Sequence, residues 1–361
     1  MGFRFLHTAD WQLGRPFARF DAELRGQLKD ARLSIIETLA ALAREEGVTH
    51  VLVAGDVWDQ MAPSDQSLRR PLDRMRAASD LQFWLMPGNH DPAGAEGLWQ
   101  RLQEMGVPEN VHLLLEARPH QLEEGVFVLP APWPTKRPGR DLSADLDRME
   151  TPEGALRIGL AHAGTEDIKE NAESAMLIAP DRADRAGLRY LALGDWHGMK
   201  RAGERTFYSG TPEPDRFRNN NQGYALIVDT DQPDAPQRHA TAQFRWRMAE
   251  AAFLPGDDPV QKLADIFPAD AALDRTLVRL EISGVLSLSE SGALTRFLEE
   301  QRARVAYLRL KDQGLSVETD ARDLDELLGD GLLRNVAERL AASPESEASL
   351  ALRYLDSFAR S

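Results

Sequence analysis

Residues 81–91 read Leu-Gln-Phe-Trp-Leu-Met-Pro-Gly-Asn-His-Asp, an apolar run that breaks into a polar cluster. Positions 81–86 have the length and composition of a buried strand, so Gly88-Asn89-His90-Asp91 falls just past a strand end. The arrangement recurs. Asp10-Trp11-Gln12 follows the strand formers of 3–7, Gly55-Asp56 follows 48–54, Ala161-His162-Ala163 closes 156–161, and Gly194-Asp195-Trp196-His197 follows 190–193. Leu24, Leu28, Ile35, Leu39 and Leu42 recur at helical spacing with Gly47 placed as a stop. Further helices are expected at 66–78 and 95–105. This alternation of strand and helix predicts a layered α/β domain, in which strand ends on one sheet edge converge although they are distant in sequence.

From 126 onward short strands dominate, at 126–130, 156–161, 190–193, 205–208, 224–229 and 243–248, which predicts a second sheet packed on the first. Leu254-Pro255-Gly256-Asp257-Asp258-Pro259 is a polar break, and none of the polar clusters lies beyond it. The expected division is therefore 1–254 and 255–361, in keeping with a chain of 361 residues and domains of roughly 100–200. The second part reads as a strand at 276–282, a helix at 290–305, strands at 307–311 and 315–318, and then helices. In the last of these Ser343 is the expected cap, Pro344 the first helical residue, and Ala348, Leu352, Leu355 and Phe358 one apolar face.

Composition restricts the chemistry. Hydrophobic residues make up 42% and charged residues 28%, which is globular usage, and no run approaches the ~20 apolar residues of a membrane-spanning helix. The first residues carry neither an export signal nor a myristoylation motif, so the expected location is the cytoplasm. With no cysteine, any metal must be held by His, carboxylate or amide groups, which favours hard cations. A net charge of −15 excludes coating of nucleic acid by bulk electrostatics and leaves local contacts. Two weakly basic stretches qualify, around Arg15, Arg19, Arg25, Lys29 and Arg32 and around Lys200, Arg201, Arg205, Arg216 and Arg218.

Taken singly, a Gly-Asp after a strand is a turn, and a lone histidine such as His162 is a hydrogen-bonded core residue. Their joint occurrence at strand ends is what points to chemistry. Two cations about 3.5–4 Å apart need a bridging carboxylate, terminal oxygen and nitrogen ligands, and room for phosphate and water. The clusters contain those parts: Asp56 for the bridge, Asp10 and His197 for one metal, Asn89, His162 and Asp195 for the other. His90 is left to act on substrate, with Asp91 beside it as the second catalytic candidate. Arg15 and Arg19 follow the first cluster closely enough to touch substrate phosphate. Trp11, Trp58 and Trp196 adjoin ligand positions, where core packing is favoured over base stacking.

The order Asp-x-His, Gly-Asp, Gly-Asn-His-Asp/Glu, His, Gly-His-x-His resembles the calcineurin-like metallophosphoesterases. His-Thr-Ala-Asp-Trp-Gln-Leu-Gly at 7–14 is similar to the opening of SbcD-type DNA repair nucleases. Tyr208-Ser209-Gly210-Thr211-Pro212 is similar to a Tyr-Ser-Gly-Ser-Pro element of those nucleases, which marks Ser209 as a substrate-binding candidate. The resemblance covers roughly residues 1–250. It implies a four-layer αββα sandwich followed by a smaller α+β capping domain, Mn²⁺ as the metal with Mg²⁺ or Fe²⁺ as alternatives, and DNA as substrate. The implied reaction is phosphodiester hydrolysis by water activated between two metals. The implied setting is double-strand-break repair with an SbcC-type coiled-coil ATPase, in a complex whose nuclease chain forms a dimer and docks through its carboxy-terminal helices, a role open to the acidic helices after Asp320.

Two positions depart from the family pattern. Gln12 stands where the family has a histidine ligand, and Asp195 stands where it has the first His of Gly-His-x-His. Gln12 is a weaker, neutral ligand and Asp195 a harder, charged one, which together favour Mn²⁺ or Mg²⁺ over Zn²⁺. Two other readings remain open at this point: a phosphodiesterase or phosphatase acting on small molecules, and a catalytically weakened scaffold that holds an ATPase.

Overall fold

The computed structural model describes residues 2–94, 97–165, 176–217, 222–268, 273–318, 332–343, 348 and 351. Chain contacts divide it into two units, Met1–Phe244 and Arg245–Ser361. The strands of the first unit are β1 (Arg4–Thr8), β2 (His50–Val53), β3 (Gln82–Leu85), β4 (Val111–Leu113), β5 (His120–Glu123) and β6 (Val126–Ala131). They continue as β7 (Leu156–His162), β8 (Tyr190–Gly194), β9 (Lys200–Arg201), β10 (Thr206–Tyr208), β11 (Tyr224–Asp229) and β12 (Gln237–Ala240).

One six-stranded sheet has the order β12-β11-β1-β2-β3-β4, with β1 to β4 parallel and β11 running antiparallel to both its neighbours. The other has the order β5-β6-β7-β8-β10-β9, parallel from β6 to β10 with an antiparallel strand at each edge. Side chains alternate across β1 and β2 with period two. Leu6, Val51 and Val53 enter a cluster with the helices α1 (Ala22–Leu33), α2 (Ile35–Glu45), α3 (Asp65–Ala77) and α4 (Leu98–Met105). Phe5, Leu52 and Ala54 face the other way, against Ile158, Leu160, Tyr190 and Ala192 of the second sheet. The outer face of the second sheet is covered by a 3₁₀ turn at Leu142–Arg148 and the short helix α5 (Arg182–Arg185). The layers are therefore α, β, β, α, as the resemblance implies.

The single helix expected from Leu24 to Leu42 is two. Ser34 ends α1, its hydroxyl donating to the Ala31 carbonyl at 2.9 Å, and α2 begins at the next residue. The strand at 224–229, expected in the second sheet, pairs instead with β1. Its four central residues are all buried, a pattern that fits either sheet, and only the partner decides.

The unit boundary lies ten residues earlier than the polar break suggests. Residues 245–253 form β13 (Arg245–Phe253), which pairs with β14 (Thr276–Ser287) rather than with either sheet of the first unit. Nine residue pairs join them in register, so this strand belongs to the second core, and residues 254–258 are only the turn that follows it. Parallel to β14 lies β15 (Tyr307–Glu318), a single strand where 307–311 and 315–318 were expected, because a register shift between Glu281 and Ser283 absorbs the irregularity. The unit also contains α6 (Pro259–Leu263), α7 (Leu288–Arg304), which starts with a capping box between Ser287 and Glu290, and α8 (Leu332–Ala341). The acidic helices expected after Asp320 lie largely outside the described residues, as does the face formed by Leu352, Leu355 and Phe358. Among the described residues no helix is long and apolar enough to cross a membrane.

Candidate metal centre

The loops that leave β1, β2, β3, β7 and β8 meet at one edge of the sandwich. Asp10 N–H donates to the Gly55 carbonyl at 3.0 Å, Gln12 N–H to the Asp56 carbonyl at 3.0 Å, and Leu13 N–H to the Val57 carbonyl at 2.9 Å, so the first two loops are joined residue by residue. This pairing forces unusual backbone. Asp10, Gln12, Asp56 and Asp195 have φ of 54°, 49°, 54° and 98°, a region that side-chain-bearing residues rarely occupy and that recurs at functional sites.

Two glycines make the convergence possible. A Cβ on Gly88 would lie 2.2 Å from Asp56 Oδ1, and one on Gly194 would lie 2.1 Å from the Ala54 carbonyl oxygen and 2.6 Å from His162 Nδ1. The Gly194→Ala variant is expected to lose about 3 kcal/mol or more, since the clash is with backbone that cannot turn aside. Urea unfolding measures this, and a loss below about 1 kcal/mol would show that the loops have room to separate.

Within the convergence, ligand atoms of Asp10, Asp56 and His162 lie within 4.8 Å of one another, and all three residues are buried. His162 Nδ1 is 2.9 Å from the Ala54 carbonyl, which can only accept, so Nδ1 carries the hydrogen. That leaves Nε2 as the nitrogen that can hold either a second proton or a cation. It faces Asn89 Oδ1 at 2.9 Å, Asp56 Oδ1 at 3.4 Å and Asp195 Oδ1 at 3.9 Å. Such a gathering of acceptors calls for a cation at its centre. Burial works to lower the His162 pKa, but Asp56, and after it Asp10 and Asp195, raise it well above the usual histidine range.

His197 approaches from the other side, with Nε2 3.9 Å from Asp10 Oδ1. Asp195 N–H donates to both oxygens of Asp10, at 3.2 and 3.3 Å. Gln12 Nε2 donates to Asp56 Oδ2 at 2.8 Å, while its buried Oε1 has no hydrogen-bond partner. An orphaned carbonyl oxygen on a side chain that is hydrogen-bonded to Asp56 is a ready ligand for a hard cation. The donor set, with its oxygens, two imidazoles and no sulfur, fits divalent metal.

The calcineurin-like phosphoesterase family profile matches residues 3–183, the stretch that carries four of the five converging loops. This chain belongs to that family. Its membership implies divalent-metal binding and phosphoester hydrolysis. The phosphoesterase is also 31% identical, over 259 residues, to the SbcD component of the nuclease SbcCD from Rhodobacter capsulatus. That alignment covers 58% of this chain and 62% of the relative, so the chain matches less than two thirds of the relative's length.

The remaining site residues of this phosphoesterase take distinct places. His90 N–H donates to Asp56 Oδ1 at 2.9 Å, and the ring Nδ1 is held by the Asp59 carbonyl at 3.2 Å. This leaves Nε2, 4.0 Å from Asp56 Oδ2, at the partly exposed rim. There a cleft of about 500 Å³ opens, lined by His90, Arg15, Arg19, Phe17, Asp215 and Arg216 among others. Arg15 reaches it while paired with Asp59 at 2.7 Å and Asp215 at 3.0 Å. Arg19 lies over the rings of Phe20 and Phe217.

Asp91 does not reach the cleft. Fully buried, it accepts from Trp58 N–H at 2.9 Å and Gly88 N–H at 2.7 Å, which makes it a positioning residue for the His90 loop. Burial and the Asp56 charge push its pKa well above the usual carboxylate range. Ser209 is likewise fully buried and donates to the Gly210 carbonyl at 3.1 Å, so it is withdrawn from substrate. Its element braces the site from below: Thr211 Oγ1 donates to the Asp10 carbonyl at 2.8 Å, and Tyr208 OH to the Ala163 carbonyl at 2.8 Å. Trp11 and Trp58 are core residues of the first helical layer, whereas Trp196 is partly buried.

Sequence reading missed Asp215. It is buried, and its Oδ1 lies 3.3 Å from His197 Nδ1, the arrangement by which a carboxylate fixes the ring of a metal-binding histidine. Burial alone would raise its pKa, but His197, Arg15 and Arg216 hold it well below the usual range. In sequence, Asp215-Arg216 reads as an exposed pair, and the only available signal is its position shortly after the Tyr208–Pro212 element. The Asp215→Asn variant is expected to bind metal about 10–100-fold more weakly, because the His197 ring loses its orienting charge. Titration with Mn²⁺ measures this, and unchanged affinity would remove Asp215 from the support of the site.

Proposed function

We propose that this phosphoesterase is a metal-dependent DNA nuclease. The observation that carries the reading is the cluster of Asp10, Asp56 and His162, with Asn89, Asp195 and His197 around it, opening on a cleft that holds His90 and three arginines. The similarity to a component of a nuclease supports a nucleic acid over small-molecule phosphodiesters. Asp10, Gln12, Asp56, Asn89, His162, Asp195 and His197 would hold two divalent cations, with Mn²⁺ the best match to the oxygen-rich set. Bound there, the cations supply a Lewis acid for the phosphate and lower the pKa of water.

The chain's own groups do the rest. Arg15, Arg19 and Arg216 orient the diester by charge. His90, its Nδ1–H anchored on the Asp59 carbonyl, turns Nε2 to the scissile group, where a proton held on Nε2 passes to the leaving alkoxide. Asp56 fixes the His90 backbone through one oxygen and accepts from Gln12 through the other, so a carboxylate that would hold metal also positions the proton donor. The biological setting we propose is double-strand-break repair in the cytoplasm, in a complex with an SbcC-type coiled-coil ATPase and with the nuclease chain as a dimer.

The decisive assay incubates the chain with end-labelled DNA and Mn²⁺, with and without chelator. Shortening or nicking that chelator abolishes is the expected result. Turnover of a chromogenic phosphodiester without cleavage of DNA would replace the nuclease with a small-molecule phosphodiesterase. Binding of fewer than two Mn²⁺ per chain with no turnover would leave a scaffold.

A further inference from the structure

A second, smaller pocket of about 110 Å³ shares a lining residue with the His90 cleft. Arg15 lines both. The pocket is formed where the Leu13–Arg15 loop passes α1 and α3, and its lining includes Arg15, Lys29, Arg32, Arg70 and Ser67. Four of these are cationic in a chain whose net charge is −15, so the concentration of positive charge runs against the composition of the whole.

Arg32 distinguishes the pocket from an ordinary basic surface. Only 2% of it is exposed. Its two terminal nitrogens donate to the carbonyls of Trp11 and Glu213, each at 2.7 Å, and its buried Nε has no hydrogen-bond partner. A guanidinium stays charged in proteins, and burying one with an unsatisfied N–H is costly unless an acceptor arrives. Arg15 is already paired with Asp59 and Asp215, and Arg70 has Asp30 at 3.6 Å on the exposed side. Lys29 is exposed at the mouth.

We infer that this pocket is an anion site that takes a phosphate of the nucleic-acid strand other than the one being cut. The inference rests on the nuclease reading. Its volume admits a phosphate group and excludes a nucleotide, so it reads backbone and not base. Because Arg15 lines both pocket and cleft, a strand with one phosphate at the metal centre has a neighbouring phosphate beside Arg32, Lys29 and Arg70. The pocket thus fixes the direction in which the strand leaves the site.

The test uses the full chain in chelator, where the metal cluster holds no phosphate, and the double variant Lys29→Gln/Arg70→Gln, whose side chains are exposed and whose replacement spares the buried Arg32. Binding of a fluorescent single-stranded oligonucleotide is measured over a range of salt. The variant is expected to bind about tenfold more weakly, and the slope of log affinity against log salt to fall by roughly 0.7 per lost contact. In parallel, inorganic phosphate at constant ionic strength is expected to raise the melting temperature of the parent and not of the variant. If DNA is cleaved by the parent, yet variant and parent share one salt slope and one response to phosphate, the pocket is overturned while the nuclease stands. If the parent neither binds nor cleaves DNA, the nuclease reading falls and this inference with it.

Discussion

Replacing Asp56 by Asn is expected to lower turnover about a thousandfold or more and to abolish metal-dependent stabilisation. The carboxylate is buried, sits among His162, Gln12 and the His90 backbone, and faces the acceptors of the second candidate metal position. Asn keeps its shape but removes its charge, and a cation pair bridged by a neutral amide loses most of its attraction. The parent is expected to melt higher in Mn²⁺ than in chelator, by an amount equivalent to about 2.7 kcal/mol when metal is at 100 times its Kd. In the variant this difference should vanish. In chelator alone the variant should be no less stable than the parent, because one of three crowded acidic groups has been neutralised. Retained turnover together with retained stabilisation by Mn²⁺ would place the metals elsewhere.

The second large effect separates chemistry from metal binding. His90→Ala is expected to reduce turnover of DNA by about 10²–10⁴-fold, the usual contribution of a positioned proton donor. The affinity and stoichiometry of Mn²⁺ should stay within experimental error. The reason is geometric: His90 touches Asp56 through its backbone N–H, which alanine retains, while its ring stands at the rim of the cleft. Turnover equal to the parent would remove the imidazole from the mechanism. A parallel loss of metal would instead make His90 a ligand. Side by side with Asp56→Asn, this variant distinguishes a residue that acts on substrate from one that holds the cations.

Much of this site was legible in the linear chain because a parallel sheet delivers its functional groups in a regular way. Each cluster follows an apolar run, and strand ends on one edge must converge whatever lies between them. That reasoning locates Asp10, Asp56, Asn89, His162, Asp195 and His197 without coordinates. It has no access to side-chain direction. Asp91 and Ser209 stand within motifs that read as functional, yet both are turned inward, one onto backbone N–H groups and the other onto a carbonyl. Asp215 shows the reverse error: little beyond its place after the Tyr208–Pro212 element marks it, and its importance comes from His197, 18 residues away, and from Arg15.

The same distinction holds for the fold. The α/β alternation and the second sheet follow from hydrophobic periodicity, a local property that burial imposes on every strand and helix, and the expectation of two units follows from chain length and the polar break at 254–259. Which sheet a strand joins does not, because a short apolar segment suits either; β11 lies beside β1, and β13 leaves the first unit altogether. By itself the sequence determined that carboxylate, amide and imidazole groups gather at one sheet edge and that no thiolate can join them. The tertiary structure alone decided which of them face a common point, that Asp215 braces His197, and that Arg32 is buried with an unsatisfied N–H beside the cleft, since these depend on groups far apart in the chain being brought within hydrogen-bonding range.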